Sequence, residues 1–226
     1  NSSGEGAFVV SSGKNMGIFK GVGFPRDIAE FYRLNEYKAH TWIAHNRFPT
    51  NTPGWWGGAH PFGSNDLSLV HNGEISSFGI NKRFLESFGY KLTLQTDSEA
   101  ILYLFDILTR IHRLPLEIAS AALTPPHWDE IDNMSISEKT LYTAIRITYG
   151  SCLINGPSAL ILGFNDGILG LNDRIKLRPL VAARDSEFGY LSSEESGILA
   201  AYSSHKKNLD IYHPEAGEPV IFKYKK

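Results

Sequence analysis

LSLVHNGE, Leu67–Glu74, is the stretch whose reading decides the fold. Leu67, Leu69 and His71 recur at every second position, the period of a strand with one buried face, and Asn72-Gly73 suits a sharp turn with positive φ. His71–Glu74 therefore sits at a strand end, where a side-chain amide and a glycine N–H stand together. Upstream, His45–Thr52 reads HNRFPTNT and leads into Thr52–Ser64, where Pro53, Gly54, Gly57, Gly58, Pro61 and Gly63 forbid regular structure. Trp55, Trp56 and Phe62 supply that loop with large apolar groups, which suit equally a lid or docking patch and anchors to the core.

Further out, Asn1–Gly6 reads as loose, and Ala7–Val10 and Met16–Lys20 as short strands joined through Gly13. Pro25 opens a short amphipathic helix ending near Leu34, and a strand follows over His40–Asn46. Ile80–Phe88 is helical. Ala100, Ile101, Leu104, Phe105, Leu108 and Ile111 then share one helical face, begun by a Thr96/Glu99 capping box. Leu116–Leu123 and Ser137–Tyr149 are further helices, parted by Pro125-Pro126. Beyond Gly156 the texture turns to strands: Ala159–Phe164, Ile168–Leu171, Leu180–Ala183, Tyr190–Ser192 and Val220–Tyr224. Strands, helices and strands again imply a layered α+β fold, and without repeat or linker the expectation is one domain over 1–226.

The 226 residues are 42% hydrophobic and 20% charged, an ordinary globular balance. With 22 Lys plus Arg against 24 Asp plus Glu, the net charge of -2 offers no footprint for nucleic acid or anionic lipid. No run approaches a membrane helix. A single cysteine, Cys152, excludes an internal disulfide framework and fits a cytoplasmic location.

Arg47 carries the planar fork that grips a carboxylate through two parallel hydrogen bonds, and Asp97, at the first helical position, is left to meet an ammonium group. Asn72 and Gly73 offer a side-chain amide and a closely approachable N–H, the donors an oxyanion needs. Singly, these residues read as a surface ion-pair partner, a helix-dipole residue and a hairpin turn. Their order carries more. The set His45, Arg47, Phe48, Thr50, Asn51, Thr52, then His71 to Glu74, then Thr96 to Glu99, resembles class II glutamine amidotransferases. The RFPTNT form is most similar to the glutaminase part of glutamate synthases, especially the separate archaeal subunit. The likeness runs on through NDRIKLRPL, Asn172–Leu180, and LSSEES, Leu191–Ser196.

That resemblance implies an N-terminal-nucleophile hydrolase fold, an αββα sandwich of two stacked antiparallel sheets. Arg47 and Asp97 would hold L-glutamine, Phe48, Thr50 and His71 would complete its pocket, and Asn72 with Gly73 would form the oxyanion hole. The family's nucleophile is a cysteine at the mature amino terminus, where the free amine serves as its base. Asn1 has neither thiol nor hydroxyl, and Cys152 reads as a buried small residue, so the nucleophile is expected upstream in the parent polypeptide. The implied partner is a synthase subunit carrying FMN and an iron–sulfur cluster. This chain has no cysteine cluster and no GxGxxG to bind either.

Two other readings compete. One is a subunit that binds glutamine without cleaving it, or is repurposed as in an N-methylglutamate synthase. The other, a metal-dependent hydrolase, draws on His40, His45, His60 and His71 but has no HExxH-type spacing. The plainer role for His45 and His71 is support of neighbouring strands by ring hydrogen bonds.

Overall fold

A computed structural model of the chain describes residues 15–46, 54–202 and 208–224. The expected strand Ala7–Val10 lies outside them. Helix α1 (Pro25–Phe31) begins at proline, whose fixed φ suits a first helical turn, and a 3-10 turn follows at Leu34–Glu36. Met16–Lys20 and His40–Asn46, expected as strands, are not strands. Their apolar side chains lie on the sheet without joining its ladder: Ile18 rests on Gly63 and Ile43 on Gly163. Alternation alone does not make a strand when no backbone partner is in reach.

Within the expected Thr52–Ser64 loop, the described residues from Gly54 are irregular up to a 3-10 turn at Trp56–Gly58, then yield strand β1 (Phe62–Ser64). It turns into β2 (Leu67–Gly73). Next come α2 (Phe78–Ser87), α3 (Asp97–Asp106), α4 (Leu116–Leu123), α5 (Trp128–Asp132) and α6 (Ile136–Thr148). The chain then builds β3 (Ser158–Phe164), β4 (Gly167–Asn172), β5 (Val181–Arg184), β6 (Gly189–Ser192), α7 (Glu195–Ala201), β7 (Asp210–Tyr212) and β8 (Val220–Lys223). The short α5, α7 and β7 have no counterpart in the sequence reading.

Two antiparallel sheets result, in the orders β1-β2-β3-β4-β8 and β6-β5-β7. Register explains the layers. Phe62 pairs Leu69, which pairs Leu162, which pairs Leu169, and His71 pairs Leu160, which pairs Leu171. These files face the helices, where Ala100, Ile101, Leu104, Phe105 and Leu108 join them in one buried core. Each side chain of that size contributes about 1.5–3 kcal/mol when buried. On the second sheet, Val181 and Ala183 bury against Ile198 of α7. Leu180 and Leu191 meet Gly170 of β4, and the Phe222 ring lies on Gly189 of β6. A Cβ on Gly170 would stand 2.9 Å from Leu191, so the close approach of the sheets depends on that glycine. Helices, sheet, sheet and α7 form the αββα order.

Helix α3 is anchored at both ends. Thr96 caps it by accepting the Glu99 N–H at 3.1 Å, as the capping reading requires. The Glu99 side chain does not return to Thr96. It accepts instead the N–H groups of Thr93 (3.0 Å), Leu94 (2.9 Å) and Gln95 (3.0 Å). This carboxylate therefore fixes the loop before the helix, in which Gln95 holds a φ of 53°. At the far end Arg110 grips buried Asp106 at 2.8 and 2.6 Å, with Tyr90 donating to the same carboxylate. Burial drives the Asp106 pKa up, but the Arg110 and Tyr90 hydrogen bonds outweigh it and hold it below the usual range.

Candidate active site

The tip of β2 and the start of α3 meet, as their burial and capping demand. Beyond Gly73 the chain turns under the Ile75 N–H, which donates to Asp97 Oδ2 at 3.2 Å. Asp97, 24% exposed at its side chain, therefore stands beside Asn72 and Gly73, which continue the β2 ladder opposite Ala159 and Ser158 and do not form the expected sharp turn, because β3 offers them a backbone partner. Gly73 has no room for a side chain. A Cβ there would fall 2.1 Å from the Pro157 carbonyl and 2.9 Å from His71 Nε2. The end of β2 lies this close to the start of β3 because glycine alone lets the two backbones touch.

Behind this tip lies a buried polar relay. The Ser98 hydroxyl donates to Asp97 Oδ1 at 3.3 Å and lies 3.1 Å from both His71 Nδ1 and His60 Nε2. A self-consistent assignment has Ser98 giving its proton to Asp97 while its oxygen accepts from the two rings. His71 Nδ1 is also 3.8 Å from Asp97 Oδ1. His45 stacks on His60 with ring centroids 4.1 Å apart, and Phe62 meets His60 edge-on at 4.9 Å. Burial, then the neighbouring His45, His71 and Lys20, lower the His60 pKa to about 2, so this ring is neutral at physiological pH.

Lys20 closes the far side. Its ammonium sits 4.5 Å from the Phe62 ring centre and donates to the Gly57 carbonyl at 3.3 Å. Burial brings its pKa down to about 8, against an upward pull from Glu99. The Gly57 contact ties the Trp loop to the relay. Trp55 folds its indole over Gly57 and Gly58 and meets Trp56 edge-on at 5.8 Å, which pins the loop to itself.

Of the residues singled out in the sequence, His71, Asn72, Gly73 and Asp97 come together at one strand end. Arg47, Phe48 and Thr50 lie outside the described residues. Strand alternation divides the neighbours: His71 faces α3, whereas Asn72 faces the second sheet across a cleft of about 400 Å³. Sequence reading gave no site role to Ser98, Lys20 or Arg178, and offered His60 only as one of a possible metal-binding group. Ser98 lay between two assigned residues, and its contact to His71 spans 27 positions that no local pattern joins. His40, expected among a histidine group, stacks on Tyr224 instead. Among the described residues no group of three or more His, Cys, Asp or Glu side chains is placed to hold a metal ion. Nor is any of their helices long and apolar enough to cross a membrane. Cys152 is fully buried, and burial pushes its thiol up to about 12, far from thiolate chemistry.

Comparison with known proteins places this arrangement. The chain belongs to the class-II glutamine amidotransferases, whose family model matches residues 1–208. It is similar to an uncharacterised protein of Archaeoglobus fulgidus, 53% identical over 97% of this chain and 57% of that one. An amidophosphoribosyltransferase of Methanocaldococcus jannaschii is 25% identical over 91% of this chain and 39% of its own length. A glutamine–fructose-6-phosphate aminotransferase of Vibrio vulnificus is 35% identical over 45% of this chain and 17% of its own. The chain thus spans little more than half the length of the Archaeoglobus relative and less of the others. Among solved structures, the glutamine phosphoribosylpyrophosphate amidotransferase of B. subtilis aligns with a TM-score of 0.43 at 17% identity, over 70% of this chain and 27% of that one.

Proposed function

We propose that this chain is the glutamine-splitting part of a cytoplasmic glutamate synthase, releasing glutamate and ammonia from L-glutamine. The observation that carries the reading is Asp97 held beside the Asn72-Gly73 end of β2 by the Ile75 N–H. An ammonium acceptor and a set of amide donors then stand at one strand end, the spacing a free amino acid's head and side chain require. Glutamine would place its α-ammonium on Asp97 and its α-carboxylate on Arg47, with Phe48 and Thr50 along its chain. His71, held by Ser98, would fix Asp97 from behind. The scissile carbonyl would accept from the Asn72 side chain and the Gly73 N–H, donors worth about 2.7–4 kcal/mol each in barrier when removed.

The attacking thiol is assigned to a cysteine at the mature amino terminus of the full-length polypeptide. It would add to the amide carbon, expel ammonia and leave a γ-glutamyl thioester that water cleaves. Free ammonia is lost as ammonium unless delivered, so a partner synthase subunit bearing FMN and an iron–sulfur cluster would pass it to 2-oxoglutarate. The RFPTNT form favours this acceptor over the sugar phosphates named for the more distant relatives.

A second reading has one observation in its favour. Cys152 is sealed in the core and Ser98 is only 3% exposed, so neither is a ready nucleophile. A subunit that holds glutamine without cleaving it, or serves an N-methylglutamate synthase, would keep the same pocket. The full-length gene product decides between them. Glutaminase activity abolished by a diazo-ketone glutamine analogue, with the adduct on an amino-terminal cysteine, supports the enzyme. Glutamine binding with neither activity nor adduct supports the second reading.

A further inference from the structure

The cleft on the Asn72 face has charge of its own. Asn72 and Ile161 of the first sheet, Leu191 of the second, Glu194 before α7, and His45 and Arg178 all line it. Arg178 is delivered there by a buried clamp. Asp173 Oδ2 accepts the N–H groups of Ser158 (3.1 Å) and Arg178 (3.0 Å), and Oδ1 those of Ile175 (3.2 Å) and Leu177 (3.0 Å). One carboxylate thus bolts the loop behind Arg178 to the head of β3, the strand paired with Asn72. The ion pairs among the described residues leave the Arg178 guanidinium out. A positive fork on a fixed base, half-buried and lining a cleft with a carboxamide, is suited to a small carboxylate.

The proposed reaction makes such an anion there. The thiol adds to the amide carbon and the C–N bond breaks as ammonia leaves with the thiol's proton; water then adds to the thioester, the C–S bond breaks and the thiol is restored, so a neutral carboxamide has become a carboxylate beside Asn72. We propose that Arg178 binds the γ-carboxylate of the product glutamate, so that the cleft favours product over substrate and glutamate restrains turnover. The inference rests on the glutaminase reading for the direction of that chemistry. Binding tests it separately.

The experiment is isothermal titration of the full-length gene product with L-glutamate and with L-glutamine, alongside glutamate inhibition of glutaminase turnover. Arg178→Gln weakens glutamate roughly tenfold and leaves glutamine within about twofold, and Arg178→Lys falls between, because a point charge replaces a fork. Arg184→Gln, which removes an exposed guanidinium paired with Asp210, changes neither. Equal weakening of both ligands overturns the proposal, since Arg178 would then touch a group the two share, and so does an unchanged glutamate affinity. Wild-type protein that binds glutamate in the Arg178-dependent way but lacks glutaminase activity refutes the enzyme reading and keeps the site. Wild-type protein that binds neither amino acid overturns both.

Discussion

Replacing Glu99 by glutamine changes one atom in a side chain that is 1% exposed. Its Oε1 accepts the Thr93 N–H at 3.0 Å and the Thr93 hydroxyl at 3.3 Å, and its Oε2 accepts the Leu94 and Gln95 N–H groups at 2.9 and 3.0 Å. A carboxamide presents one oxygen and one NH₂, so whichever way it turns, at least two donors face a donor. Hydrogen bonds to charged groups contribute about 1.5–3 kcal/mol each, and losing two gives an expected destabilisation of about 3–5 kcal/mol. That is a large part of the roughly 5–15 kcal/mol that holds most domains folded. Urea denaturation of wild type and Glu99→Gln measures it, and glutamine titration of the surviving folded variant reports the site. The loop Thr93–Thr96 leads into Asp97, so glutamine affinity falls as well. A stability change under about 1 kcal/mol, with unaltered glutamine affinity, would refute the claim that this carboxylate holds the loop.

His60 makes the fold acid-sensitive. Its folded pKa of about 2 lies below the 6.5 of a histidine in water, so as pH falls through 6.5 the unfolded chain takes a proton that the folded chain refuses. Stability is complete above that point and declines below it by up to about 1.4 kcal/mol per pH unit, roughly 2 kcal/mol by about pH 5. Urea midpoints of wild type and His60→Asn across that range should converge, and parallel curves would remove His60 as the cause. Cys152 should resist iodoacetamide in the native protein and react after unfolding, since its thiol is buried and its pKa raised to about 12; rapid native labelling by mass spectrometry would contradict the packing. Arg47→Lys should raise the glutamine Kd by about tenfold, because an ammonium cannot reproduce a paired contact. Unchanged calorimetric affinity takes Arg47 out of the pocket.

How much of this was legible depends on the range of each interaction. The apolar period of α3 and its Thr96 cap are local, and both are present in the fold. The strands after Gly156, β7 excepted, were readable because short apolar runs bounded by turn residues are too brief for a helix. Met16–Lys20 and His40–Asn46 have the same texture, but among the described residues neither joins a ladder, and their side chains Ile18 and Ile43 rest on Gly63 and Gly163 of the sheet. Helix α7 was missed because Glu195–Ala201 is too short and too mixed for a helical period to stand out. In the site, alternation along β2 put His71 and Asn72 on opposite faces and their place at a strand end was readable, but the turn expected at Asn72-Gly73 was not found, since both residues pair with β3. The Ser98 relay and the Asp173 clamp were not. Both depend on contacts between distant segments, and a lone serine or aspartate carries no periodic signal.

The splitting of His71 from Asn72 by a single backbone step has a practical outcome. Strand β2 works as a partition, with His71 turned toward Ser98 of α3 on one surface and Asn72 lining the cleft toward the second sheet on the other. Substitutions among the α3-facing residues should retune how firmly an amino acid is held, and those facing β5 and β6 should retune what happens to its amide. An engineer could alter one property and leave the other in place.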